Sequence, residues 1–111
     1  LPAREAIQRL RESSPVHNWI ITDGAAPITA SFANGPDFEI RPASINEVSP
    51  TGSGDTFLAA LLDKWTDDPG GLEEALSFAA GCATASAAVP GIGDFPLPLP
   101  ERFLPEIERI N

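Results

Sequence analysis

The sequence contains no methionine and has one cysteine, one histidine and one lysine among its 111 residues. With a single cysteine, Cys82, no disulfide can form within the chain, and we expect this residue to behave as a buried apolar side chain. His17 has no second histidine or cysteine near it in sequence, so a typical structural zinc site is excluded and no metal ligand is assigned. A complete Walker A string and a Gly-x-Ser-x-Gly nucleophile elbow are also absent.

Positive charge is scarce as well. Seven basic residues oppose 16 acidic residues, which gives a formal net charge of −9 at pH 7. This balance argues against nucleic acid or an anionic membrane surface as a partner. No apolar run is long enough to span a bilayer, and no basic segment followed by an apolar one resembles a leader peptide. The expected location is therefore the cytoplasm.

The length and hydrophobic pattern predict a single α/β domain over residues 1–111. We expect a helix over 2–13, strands over 18–22, 28–33 and 38–41, and a hairpin joining the last two strands. Helices are predicted from the glycine turn at 52–54 to about Lys64 and over 72–89, with Asp68 and Pro69 as a candidate start for the latter. A loop over 90–100 and a short helix over 104–110, with Pro105 in its first turn, complete the prediction.

A glycine turn precedes the predicted second helix, in the string Thr51-Gly52-Ser53-Gly54-Asp55. Backbone N–H groups at a helix N-terminus are unpaired and bind anions, and glycine allows a phosphate to approach them closely. Asp55 would lie beside that anion, where a carboxylate can accept the proton of an attacking hydroxyl. The spacing thus suits a kinase, but it also fits an ordinary turn capped by Thr51 or Ser53.

The same string resembles the signature of PfkB-type, ribokinase-like carbohydrate kinases. The resemblance implies that Asp55 is the catalytic base and that Gly52, Ser53 and Gly54 form the anion hole for the transferred phosphoryl group. Pro50, two residues before the first glycine, and Ser53, between the glycines, are similar to the branch that acts on phosphorylated sugars, including phosphofructokinases and tagatose-6-phosphate kinases. Ser49 stands where the family has an acidic residue that helps to bind a monovalent cation, so the resemblance does not imply potassium activation.

Two flanking segments extend this resemblance. The strand that ends in Thr22-Asp23-Gly24 resembles the family's nucleotide-side Thr-x-Gly, which makes Thr22 and Gly24 candidate nucleotide contacts. Taken by itself, the segment is better explained as a strand followed by a tight turn. The small-residue segment 72–89 resembles the family's adenine-side helix, and this implies nucleotide contacts at Ala80 and Gly81. Core packing is the alternative explanation for such a helix.

The resemblance implies the C-terminal part of a three-layer ribokinase-like fold, with strands followed by packed helices. Because such kinases are much longer, we expect this chain to be the nucleotide-binding portion of a longer enzyme and to be inactive by itself. The implied reaction uses ATP and Mg²⁺ to phosphorylate a sugar or sugar phosphate, and the quaternary state is left open, with a homodimer as one candidate. Two alternatives remain: an ATP-dependent NAD(P)H-hydrate dehydratase of the same fold, and a non-catalytic nucleotide-binding lobe.

Overall fold

The computed structural model of the protein describes residues 3–23, 26–33, 35–48, 51–91, 95–96 and 99–110. The helices are α1 (Ala3–Ser13), α2 (Ser53–Asp67) and α3 (Leu72–Ala88), followed by a 3₁₀ helix (Leu99–Phe103). The strands are β1 (Trp19–Asp23), β2 (Ala26–Ser31), β3 (Asp37–Arg41) and β4 (Glu106–Arg109). None of the described helices is both long and apolar enough to cross a membrane.

The four strands form one antiparallel sheet in the order β1-β2-β3-β4. The hairpin of β2 and β3 pairs Ile28 with Ile40 and Ala30 with Phe38, so these apolar side chains share one face. The helices α2 and α3 cover that face, with Phe57 and Leu61 of α2 among the buried residues of the core. An α/β fold with strands followed by packed helices is confirmed.

The opposite face of the sheet carries α1. Alternation along β2 turns the side chains of Thr29 and Ser31 away from the main core, yet both are buried. Ser31 donates a hydrogen bond to Asp37 at 2.6 Å, and Arg4 of α1 forms an ion pair with the same carboxylate at 3.3 Å. Since Ile7 is also buried, α1 closes this side of the sheet and forms a third layer.

The C-terminal helix predicted over 104–110 is wrong, because residues 106–109 form β4. Leu104, Ile107 and Ile110 recur at a helical spacing of three, but seven residues are too few for a helix to be stable without strong tertiary contacts. In the fold, the edge of β3 offers backbone partners instead, and the amide of Ile110 donates to the carbonyl of Asp37 at 2.9 Å. Ile107 pairs with Ile40 and packs against the core.

The predicted helix boundaries differ from the structure at the junction of α2 and α3. The second helix continues past Lys64 to Asp67, and the amide of Asp68 closes its last turn by donating to the Lys64 carbonyl at 3.0 Å. Asp68 and Pro69 therefore lie in a turn and do not begin α3. That helix follows Gly71, whose carbonyl accepts the amide of Ala75 at 2.9 Å.

Cys82 should make the free energy of unfolding depend on pH in the alkaline range. Burial raises the pKa of its thiol, although the charge of Lys64 acts in the opposite direction. An unfolded chain therefore ionises this thiol at lower pH than the folded protein, so stability is fully present below about pH 8.5 and is lost as pH rises further. We expect Cys82→Ala to reduce this loss in urea unfolding titrations at about pH 7 and pH 9.5. An equal loss in both proteins would contradict the assignment.

Candidate functional site

The site is built around the start of α2. Gly52 precedes the helix with φ 85° and ψ −2°, a left-handed conformation that glycine adopts without the steric cost of a side chain. Its carbonyl accepts two hydrogen bonds from Thr56, one from the amide at 2.9 Å and one from the hydroxyl at 3.0 Å. Within the described residues, no side-chain hydrogen bond caps the helix. The capping by Thr51 or Ser53 that an ordinary turn would use is therefore not observed.

The first amides of α2 remain available to a ligand. Those of Ser53, Gly54 and Asp55 precede Thr56, the first residue whose amide donates a hydrogen bond within the helix, and the helix dipole adds partial positive charge at this end. A Cβ atom placed on Gly54 would meet no atom within 4 Å, so packing within the described residues does not require glycine there. An anion can approach this part of the backbone without meeting a side chain.

Asp55 lies in the first turn of α2 with its side chain exposed to solvent. Two residues further on, Phe57 points into the core and is 4% exposed. Because successive residues of a helix differ by about 100° in direction, Asp55 and Phe57 occupy opposite sides of α2. The carboxylate thus faces outward, at the end of the helix where the unpaired amides lie.

A cavity of about 210 Å³ opens on the inner side of the same turn. It is bounded by the start of α2, one side of α3 and the segment 42–48 that follows β3. The lining residues are Thr22, Ile28, Pro42, Ala43, Ile45, Glu47, Ser53, Gly54, Phe57, Ala80, Ala83, Thr84 and Ala87.

Segment 42–48 is held against α3 by a backbone hydrogen bond. The amide of Val48 donates to the carbonyl of Ala87 at 2.8 Å, which fixes the chain just before the glycine turn. Glu47 is one of the residues that line the cavity, and within the described part of the chain no lysine or arginine lines it. Among the described residues, the groups that can offer positive partial charge to this cavity are therefore the backbone amides at the start of α2.

Gly52 and Asp55 lie at the start of α2 as described above, and the other predicted site residues fall into three groups. Thr22, Ser53, Gly54 and Ala80 line the cavity, so the structure brings the end of β1 together with the glycine turn and α3. Gly81 is buried but does not line it; a Cβ there would approach the Pro100 carbonyl oxygen to 2.8 Å. Gly24 and Ser49 lie outside the described residues.

Sequence reasoning missed three cavity residues on α3, namely Ala83, Thr84 and Ala87. Together with Ala80 they recur at intervals of three and four, which places them on one face of the helix. The signal was present in the small-residue segment, but its apolar character extends around the whole helix. The pattern could not identify which face would border open space.

Within the described residues, no three histidine, cysteine, aspartate or glutamate side chains are grouped so that they could hold a metal ion. The backbone amides at the start of α2 and the outward carboxylate of Asp55 are the polar groups at the helix terminus itself, and Thr22, Glu47, Ser53 and Thr84 add polar side chains to the cavity wall. The amides and the Asp55 carboxylate suit an anionic ligand next to a group that exchanges a proton.

The comparison that decides the family is with protein-family models. The model described as pfkB family carbohydrate kinase matches residues 2–99. The chain belongs to the pfkB family. Carbohydrate kinases of this family use ATP. None of the curated proteins matches the chain significantly in sequence.

Solved structures resemble this pfkB chain in fold. A Staphylococcus aureus protein assigned as a phosphofructokinase has a TM-score of 0.83 and 17% identity, and the match covers 100% of this chain and 36% of that one. Phosphofructokinase-2 of Escherichia coli, solved with potassium, has a TM-score of 0.77 and 18% identity, and the match covers 92% of this chain and 33% of that one. An E. coli protein assigned as ribokinase II, in its apo form, has a TM-score of 0.73 and 25% identity, and the match covers 92% of this chain and 32% of that one. The chain spans about a third of the length of these structures.

Two glycines of the site should respond differently to alanine. Gly81→Ala forces the Pro100 backbone to move and should lower the free energy of unfolding by about 1–3 kcal/mol. Gly54→Ala enters open space in the first turn of a helix, so stability should be unchanged or rise by up to about 1 kcal/mol. Urea unfolding of both variants measures the difference. Equal destabilisation would show that Gly54 also has a packing role.

Proposed function

We propose that this chain forms the nucleotide-binding and base-bearing portion of a kinase that transfers the γ-phosphoryl group of ATP to a hydroxyl of a sugar or sugar phosphate. The observation that carries the proposal is the position of the unpaired amides at the start of α2. The cavity lies on the inner side of this turn, and Asp55 lies on its outer side. A phosphoryl group held by the amides would therefore lie between the nucleotide and the acceptor.

The reaction needs one proton acceptor and a set of dipoles. As the acceptor oxygen forms its bond to the γ-phosphorus, the hydroxyl proton passes to the Asp55 carboxylate. The bond between the phosphorus and the bridging oxygen breaks, and its electron pair leaves with ADP. The amides of Ser53 and Gly54 stabilise the charge on the phosphoryl oxygens, an interaction that is strongest when the donors are already in place.

The cavity wall fits the base of a nucleotide. Ala80, Ala83 and Ala87 present small apolar side chains on one side, and Ile28 and Phe57 contribute larger apolar surface. A flat heterocycle can pack against such a wall, and Thr22 offers a hydroxyl group for hydrogen bonds. The Thr84 hydroxyl donates to the Ala80 carbonyl at 2.9 Å, so it can only accept a hydrogen bond from a ligand. The acidic side chain of Glu47 favours placing the phosphates away from it, toward the glycine turn.

Binding of a triphosphate to this acidic chain requires cations from outside the described residues. With a net charge of −9 and no basic side chain in the cavity wall, the described residues cannot neutralise a triphosphate. Mg²⁺ would supply the charge neutralisation of the β- and γ-phosphates. Its ligands, and most residues that select the sugar, would come from the two thirds of the relatives' length that this chain does not span.

The acceptor class follows from the sequence of the glycine turn. Pro50, two residues before the first glycine, and Ser53, between the glycines, resemble the branch of the family that acts on phosphorylated sugars. The proposed acceptor is therefore a ketohexose phosphate, and free sugars and nucleosides are the comparison substrates. Fold likeness does not distinguish among these substrates.

Asp55→Asn in the complete polypeptide that contains these residues should lower turnover by about a hundredfold or more, because the amide cannot accept the proton. ADP affinity should change little, since the carboxylate is a base and not a nucleotide contact. Asp63→Asn removes an exposed carboxylate from the same helix and is the matched control. The assay is acceptor-dependent ADP release from Mg²⁺-ATP with ketohexose phosphates, free sugars and nucleosides.

Three outcomes of this assay matter. Acceptor-dependent turnover that Asp55→Asn abolishes and Asp63→Asn preserves supports the kinase. Full activity of Asp55→Asn overturns the role of the carboxylate. If ATP binds but no acceptor stimulates ADP release, a non-catalytic nucleotide-binding lobe becomes the better explanation.

Ala83→Leu tests the cavity. Ala83 is half-buried on the cavity wall, so a larger side chain should occupy the space proposed for the nucleotide. We expect ADP affinity, measured by calorimetric titration, to fall about tenfold or more, which corresponds to about 1.4 kcal/mol. Ala59→Leu makes the same change at an exposed position of α2 and should leave affinity unaltered. Equal affinities for both variants would place the nucleotide elsewhere.

A further inference from the structure

A second cleft lies on the α1 side of the sheet, away from the cavity at the start of α2. Its volume is about 530 Å³, and it is bounded by one face of α1 and by the sheet where β2 ends and β3 begins. This volume is in the range of sites that hold a small molecule. The polar residues of its lining are Arg4, Glu5, Gln8, Arg11, Ser31 and Asp37.

The position of this cleft separates it from the proposed nucleotide site. Ser31 pairs with Trp19 at the beginning of β1, whereas Thr22, which lines the cavity, lies near the end of that strand. Ser31 faces α1, while its neighbour Ala30 belongs to the core beneath α2 and α3. The two openings are therefore on opposite faces of the sheet, so a ligand in the cleft would not occupy the nucleotide site.

Arg11 carries the charge of this cleft that is not balanced. Its Nε donates to the carbonyl of His17 at 2.8 Å, which fixes one edge of the guanidinium. Nη2 is buried and has no hydrogen-bond partner among the described residues. None of the ion pairs within the described part of the chain involves this side chain. Because a buried donor without a partner costs free energy, Arg11 is the group that a ligand would stabilise.

The two carboxylates of the cleft already have partners. Asp37 accepts the hydroxyl of Ser31 at 2.6 Å and pairs with Arg4 at 3.3 Å. Glu5 pairs with Arg9, one turn further along α1, at 3.5 Å. The remaining guanidinium of the cleft therefore lacks a counter-charge among the described residues, and an anion from outside the chain would supply it.

We propose that this cleft binds a small oxyanion, with the Arg11 guanidinium as its main donor. A guanidinium presents paired N–H groups whose spacing matches two oxygens of a phosphate or a carboxylate. Because Nε is engaged, the edge formed by Nη1 and Nη2 is the one left for such a ligand. Gln8 lies one turn before Arg11 and is exposed, so its side chain can move aside to admit the anion and then donate from its amide.

Titration with inorganic phosphate, followed by NMR, tests the site in the longest natural polypeptide that contains these residues. The backbone amides of Gln8 and Arg11 report on the cleft, and those of Ser53 and Gly54 report separately on the start of α2. With sodium chloride used to hold the ionic strength constant, we expect the cleft signals to shift with one dissociation constant. A second titration with malonate distinguishes a carboxylate ligand from a phosphate.

Three variants identify the donor. Arg11→Gln should weaken binding in the cleft about tenfold or more, because it removes charge-assisted hydrogen bonds. Arg102→Gln, the matched control, removes the same charge from an exposed position of the 3₁₀ helix and should leave the affinity unaltered. Gln8→Glu keeps Arg11 and its bond to His17 but adds a carboxylate three residues away on the same helix. That carboxylate should pair with the guanidinium, abolish binding and raise the midpoint of urea unfolding.

Cleft signals that move with neither phosphate nor malonate in the folded protein would overturn the site and leave water as the partner of Nη2. Equal affinity in Arg11→Gln and Arg102→Gln would also overturn it. If Arg11→Gln does not fold, Gln8→Glu decides, since loss of binding supports the site and unchanged binding contradicts it. Shifts confined to Ser53 and Gly54 would support an anion at the start of α2 and overturn the cleft.

Discussion

The structure depends on the close approach that the small side chains of α3 permit. Alanine and glycine along this helix let α2, the sheet and the 3₁₀ helix all approach its backbone, and the carbonyl oxygen of Pro100 lies 2.8 Å from where a Cβ of residue 81 would be. The same helix fixes segment 42–48 through the Val48 amide. A larger side chain at a buried position of α3 would push this helix away from α2 and the sheet. The cavity wall that includes Ala83 and Ala87 would then be displaced.

The position of α2 follows from this packing and divides the site into two sides. Phe57 and Leu61 anchor the helix in the core, so its first turn lies at the edge of the cavity with the left-handed Gly52 directly before it. The inner side of the turn faces the alanines of α3, and Asp55 faces outward. At one helix terminus, the backbone amides along the axis are thus placed to bind an anion, and the carboxylate on the outer side is placed to accept a proton from a hydroxyl.

Much of the fold could be predicted from local patterns. The β2–β3 hairpin, the amphipathic α1 and the glycine start of α2 follow from alternation, spacing and turn residues within short segments. The strand β4 could not be predicted in this way, because its conformation depends on the unpaired edge of β3, which lies more than sixty residues earlier in the chain. Gly81 presents the same difficulty: its neighbour Pro100 is distant in sequence, and a contact with that carbonyl leaves no local signal. For the site, the glycine turn predicted the Ser53 and Gly54 part of the cavity wall, but the face of α3 that borders it depends on how the helices pack.

The late position of β4 affects how the sheet is completed during synthesis. While the chain emerges from the ribosome, β1 to β3 can pair before residues 106–109 exist, so the outer edge of β3 stays open throughout the synthesis of α2 and α3. Glu39 and Arg41 lie on this strand, and charged side chains at an open edge discourage pairing with another chain. In the finished protein, Arg41 forms ion pairs with Glu39 at 3.4 Å and with Glu108 of β4 at 3.5 Å. Charged residues of a kind that disfavours pairing of an open edge with another chain thus form part of the contact between β3 and β4.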